Sequence, residues 1–213
     1  MTALKITLAG TPVPDPLGTL CAYAIGGTGK TVDVYDFATP GDPDVLTSEQ
    51  VTTTRQIHSR ISNAERDAMV EEAAKHQHLW KAVPQDARLV EADPAVQGGL
   101  YDNMTALYKS LTDLRGVKSA KASKVLMLKR RHLYPMLDSR VLALYRKAAT
   151  DAARKYPERG YQRMYWAAIR EDVIRNQESL TEIRLALTSM KGRSARLAEL
   201  SDVRLLDILA WRL

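Results

Sequence analysis

Beyond residue 47 the apolar positions follow a helical period. Leu100, Met104, Leu107, Tyr108, Leu111 and Leu114 form one unbroken stripe at i, i+4, i+7, i+8, i+11 and i+14. Gly116 ends that helix, as a glycine just past a helix terminus commonly does. Ser119 opens a second helix reaching about Lys129, and Arg130 to Pro135 reads as a connector. Leu137, Val141, Leu144, Tyr145 and Ala148 predict the next stripe, followed by helices over 161–176, 179–190 and 201–212. Ser179 with Glu182, and Thr47 with Gln50, are spaced as capping boxes. Ile57, Ile61 and Ala64 continue from the latter, Asp67 to Lys75 forms a further helix, and Pro84 to Pro94 is a loop. Residues 1–46 are broken by five prolines, and Thr31 to Phe37 alternates like a short strand. The fold class is mainly α: a two-lobed helical fold with a small irregular or strand-bearing N-terminal region. No period of 20–50 residues repeats, and residues 1–213 suit a single compact domain.

Composition narrows the chemistry. A 45% apolar and 26% charged chain is an ordinary globular one, so disorder is excluded. The single cysteine, Cys21, excludes an internal disulfide, a four-cysteine zinc site and an iron–sulfur cluster within one chain. The longest charge-free run near the start, between Asp15 and Lys30, is too short to span a bilayer, and no secretory signal opens the chain. A soluble, cytoplasmic protein is expected.

Charge changes the picture once it is located. The chain carries +6, yet Lys109 to Arg131 alone holds eight basic residues and one acid, Asp113. That segment is +7 and the remaining residues sum to −1. A concentrated positive patch is the footprint expected for a polyanion, with double-stranded DNA the expected partner. The predicted turn at Gly116-Val117 joins two helices tightly. Val117 can tuck between them, Ala122 permits close approach, and the second helix presents free amides that suit a phosphate. Lys118, Lys121 and Lys124 recur every three residues beside those amides.

Residues 101–129 thus resemble the helix-hairpin-helix DNA-binding motif, matching at Leu114, Gly116, Val117 and Ala122 and departing at Lys118, where the family has a second glycine. The DNA-contacting residues implied are Gly116, Val117, Lys118, Ser119, Lys121, Lys124, Lys129, Arg130 and Arg131. Downstream, Pro135, Asp138, Ser139 and Val141 resemble the segment in which helix-hairpin-helix base-excision glycosylases carry a catalytic aspartate at a helix start. The resembling stretch, Leu111 to Tyr145, is about a sixth of the chain. A similarity to an uncharacterised bacterial family with a C-terminal Leu205 to Trp211 pattern is also noted.

The glycosylase resemblance implies Asp138 as the carboxylate that stabilises charge on the sugar and orients a water. Tyr134 and Tyr145, with Tyr101 and Tyr108, are the candidates to hold a flipped base. Ala120 stands where bifunctional relatives keep their Schiff-base lysine, so a monofunctional N-glycosylase is implied, with no cofactor. Asp138 is equally suited to capping a helix. A non-catalytic DNA-binding module, or a scaffold whose basic face meets an acidic protein, therefore stands beside the enzyme.

Other signals are set aside. Ala24 to Thr31 imitates a phosphate loop but lacks its first glycine and reads as a glycine-rich turn, so no nucleotide cofactor is expected. His58, His76, His78 and His132 have no metal-ligand spacing, Cys21 reads as a core thiol, and Trp166 and Trp211 fall on helix stripes.

Overall fold

A computed structural model describes residues 4–26 and 31–213. The glycine-rich turn read at Ala24 to Thr31 falls largely on residues 27–30, outside the described residues. The chain is mainly helical, with one small antiparallel sheet. In order, the elements are strands β1 (Ile6–Leu8) and β2 (Thr11–Val13), helices α1 (Pro16–Ile25), α2 (Ser48–Thr53), α3 (Asn63–Lys75) and α4 (Gln77–Lys81). There follow α5 (Leu100–Thr112), α6 (Ser119–Lys129), α7 (Ser139–Leu144), α8 (Arg146–Lys155) and α9 (Tyr165–Arg175). The last are α10 (Gln177–Thr188), α11 (Arg193–Arg196) and α12 (Asp202–Arg212). They separate into two compact units, Val34–Asp138 and the combination of Met1–Asp33 with Ser139–Leu213.

In the first of these, α6 is buried on every side, from Ala122 through Lys129. It packs against α5 and α2, while α3 and α4 pack on α5. Three consecutive cations at the end of α6 hold the irregular segment before α2. Lys129 Nζ donates to the carbonyls of Pro40 at 2.6 Å, Asp42 at 2.5 Å and Val45 at 2.8 Å. Arg130 donates to the carbonyls of Pro43 and Val83 at 2.7 Å and Trp80 at 3.0 Å, and Arg131 to Ala38 at 2.7 Å and Asp36 at 3.3 Å. A segment without strand or helix has carbonyls that no ladder satisfies, and these side chains supply the missing donors.

The second unit gathers β1, β2, α1 and α7 to α12. Ala9 and Gly10 both take positive φ, the two-residue turn whose twist matches a hairpin. Asn176 then completes the free edge of β1: its Oδ1 accepts from Thr7 N at 3.0 Å and its Nδ2 donates to Thr7 O at 2.9 Å. Buried Arg204 donates to Tyr23 Oη at 2.7 Å, tying α12 to α1.

Several expectations are corrected. Thr31 to Phe37 forms no strand: Val32–Asp36 is a π-helical turn, with Val32, Tyr35 and Asp36 buried at helical spacing. The single stripe over 137–148 is two helices broken at Tyr145. The capping box at Ser179 is not used, because α10 already starts at Gln177. The box at Thr47 and Gln50 forms, and Ser119–Lys129 is helical over the expected span. Cys21 is half-buried and donates to Met190 Sδ at 3.3 Å. Among the described residues no helix is long and apolar enough to cross a membrane.

Removing the Lys129 ammonium strands three carbonyls. Lys129→Met is expected to lose about 3 kcal/mol of stability in chemical denaturation. Lys118→Met, on exposed surface, should stay within about 0.5 kcal/mol of the native chain.

Candidate nucleic-acid interface

The hairpin of α5 and α6 is built around Gly116. Asp113 to Lys118 links the two helices, Gly116 adopts φ +83°, and Val117 is fully buried. A β-carbon on Gly116 would lie 2.3 Å from Glu65 Oε1, so glycine answers both to the left-handed backbone and to a neighbouring carboxylate. Ala122 is fully buried.

Glu65 is the residue the sequence reading missed. It closes the capping box at the start of α3, accepting from Ser62 N at 2.8 Å while its own N–H donates to Ser62 Oγ at 3.2 Å. Its other oxygen takes Lys121 Nζ at 2.6 Å, and the same ammonium donates to Gly116 O at 3.1 Å. The Lys121 hydrogen bond, then the Ser62 amide, hold the Glu65 carboxyl below its ordinary value of 4.5. The legible signal was Ser62 with Glu65, a second capping box; its partner across the hairpin was not legible.

The predicted contact residues therefore divide. Gly116 and Lys118 are exposed, and Ser119 is half-buried. Lys121 is engaged by Glu65. Lys124 is 9% exposed and donates to Ile57 O at 2.7 Å. Lys129 and Arg130 are each 1% exposed, and Arg131 is half-buried on the 36–38 segment. Burial, and then the adjacent Arg130, push the Lys129 ammonium down to about 8, so it remains a charged donor at neutral pH. The reading of one continuous basic face is corrected. Six residues at 100° each rotate Lys124 about 120° away from Lys118, into the core. The run Val125-Leu-Met-Leu128 marks a helix buried all round, which leaves Lys129 and Arg130 no solvent side.

The base-pocket candidates are corrected as well. Tyr134 is wholly buried, its hydroxyl donating to Met104 O at 2.8 Å. Tyr145 is 1% exposed; burial, with the Asp172 carboxylate beside it, pushes its hydroxyl well above the usual range. Neither ring offers a face on which a base could stack. Tyr101 is also buried, and Tyr108 is raised by burial and meets Ser119. Asp138 is half-buried and directly precedes α7; the next residue back, Leu137, donates its N–H to Ser123 Oγ at 3.0 Å. Among the described residues no group of three His, Cys, Asp or Glu side chains could hold a metal.

What remains open is the start of α6. Its N-cap, Lys118, is extended and makes no side-chain capping bond. The N–H groups of Lys121 and Ala122 turn back to Lys118 O at 2.9 and 3.1 Å. Those of Ser119 and Ala120, the first two of the helix, take no protein acceptor among the described residues.

Over residues 22–213 the chain matches a family of unknown function, DUF6308, and belongs to it. No curated protein and no solved structure matches the chain.

The Glu65 clamp has a pH signature. Its native pKa is lowered, so its stabilisation is complete above about 4.5 and is lost as pH falls through the native value. Glu65→Gln is expected to cost about 1 kcal/mol at pH 7 and to remove this part of the acid limb in pH-dependent thermal unfolding.

Proposed function

We propose that this member of a family of unknown function is a non-catalytic DNA-binding module that meets the duplex backbone with the exposed end of its helical hairpin. The observation that carries the reading is the pair of unpaired amides, Ser119 and Ala120, at the start of an eleven-residue helix. They stand beside the exposed cations Lys118 and Arg115. Such amides carry partial positive charge and fit a phosphate oxygen, and the two side chains add charge beside it. A backbone grip of this kind positions a duplex without reading its sequence.

The catalytic reading is left aside on the tyrosines. A base-excision site needs an open pocket walled by aromatic or apolar faces, and Tyr134 and Tyr145 serve the core instead. Asp138 then needs no chemical role.

Two cations set the scale. The hairpin's share of the salt dependence should be a slope of log K against log salt of about −2, by the usual −0.9 per phosphate. In fluorescence anisotropy with a 20-base-pair duplex, Lys118→Ala should reduce the slope by about one and weaken binding across unrelated sequences alike. Binding unchanged by Lys118→Ala combined with Arg115→Ala sinks the reading.

A further inference from the structure

The unit formed by residues 139–213 and the N-terminal stretch carries its own concentration of positive charge. From Ser139 to Arg175 there are nine basic residues against four acids. Unlike the cations of α6, several of these stand in solvent. Arg146, Lys147, Thr150, Asp151 and Arg154 fall at i, i+1, i+4, i+5 and i+8, the face of α8 opposite buried Ala149, Ala152 and Ala153. The side chains of Lys147 and Arg154 are 91% and 77% exposed.

Tertiary structure turns this face into a groove. After α8 the chain reverses at Gly160, φ +69°, and returns so that Met164 N donates to Ala149 O at 2.8 Å. Met164 is buried, which anchors the returning segment and sets Arg163 across from α8. Ala143 and Leu144, at the end of α7, form an apolar wall. The groove is open to solvent and has a volume of about 510 Å³, within the range of small-ligand sites.

Four cations line it against one acid. Asp151 is held by Lys147 at 2.9 Å and Arg154 at 3.2 Å. Arg146 and Arg163 have no ion-pair partner among the described residues. Two guanidinium forks without an ion-pair partner among the described residues match the paired oxygens of phosphates better than compact ammonium charges do. No aromatic side chain lines the groove, so a base or other flat ring has nothing to stack on.

We propose that this groove binds linked phosphates, recognising the anionic chain and not what it carries. Arg146 and Arg163 grip from opposite sides, and Lys147 and Arg154 neutralise the remainder while staying on Asp151. Two sources share that chemistry: the backbone of a single nucleic-acid strand and a free polyphosphate chain. The site lies on different residues from the hairpin and stands whether or not the hairpin binds DNA.

The test uses the full chain with inorganic tripolyphosphate as probe, followed by calorimetry at low salt, and a labelled twelve-nucleotide oligo-dT followed by anisotropy. Arg146→Ala combined with Arg163→Ala is expected to weaken tripolyphosphate at least tenfold, with an unchanged circular dichroism spectrum. Lys191→Ala, which removes an exposed cation of the same unit outside the groove and the hairpin, should leave tripolyphosphate binding as it is. If oligo-dT falls in parallel, the strand backbone is the source; if tripolyphosphate alone falls, the free chain is. No binding of either probe, or binding of both undiminished in the double variant, overturns the proposal. Loss in Lys118→Ala with none in the double variant also overturns it, and assigns the phosphate to the hairpin.

Discussion

Lys129, Arg130 and Arg131, three consecutive cations at the end of one buried helix, hold the backbone of an irregular segment. Residues 36–46 include the end of a π-helical turn and then a run with no regular element, so their carbonyls need donors from elsewhere. Cations answer better than neutral donors here. An ammonium reaches three carbonyls at once, and a guanidinium spreads donors over a fixed fork. Lys124 extends the device to Ile57, and through Arg130 it reaches Val83 and Trp80. Much of the irregular chain in the unit from Val34 to Asp138 is thereby tied to α6.

This changes what the basic cluster means. Eight cations in 23 residues look like a surface prepared for a polyanion, yet the innermost are spent within the fold. Charge alone could not distinguish these outcomes, since a carbonyl oxygen and a phosphate oxygen both attract an ammonium. Burial distinguishes them. What stays available at the tip of the hairpin is modest, two side chains and two amides, and the more open charge lies on α8, where three buried alanines permit close packing on one face and leave the other for arginine and lysine.

Much of the helical layout was legible. The stripe from Leu100 to Leu114, the break at Gly116 and the span of α6 follow from periodicity and from one residue's tolerance of positive φ. Thr31 to Phe37 was not legible in the same way. Alternation of Val and Asp imitates a strand, but no neighbour pairs with it, and Val32, Tyr35 and Asp36 turn inward at helical spacing. The hairpin strands lay elsewhere, in Ile6–Leu8 and Thr11–Val13, three residues each and too short for a period to register. Their remaining edge is satisfied by Asn176, far away in the chain.

The sequence by itself determined the helical class, the absence of an intrachain disulfide and the tight turn at Gly116, because period, composition and backbone freedom are local properties. Only the tertiary structure decided which charges meet solvent. A lysine's spacing says which way it leaves its helix and nothing about what waits there. For Lys121 it is Glu65, for Lys129 the carbonyls of residues 40–45, and for Arg163 an open groove beside α8. Each of these partners is brought in from another part of the chain, so the role of each cation exists only once the helices have packed.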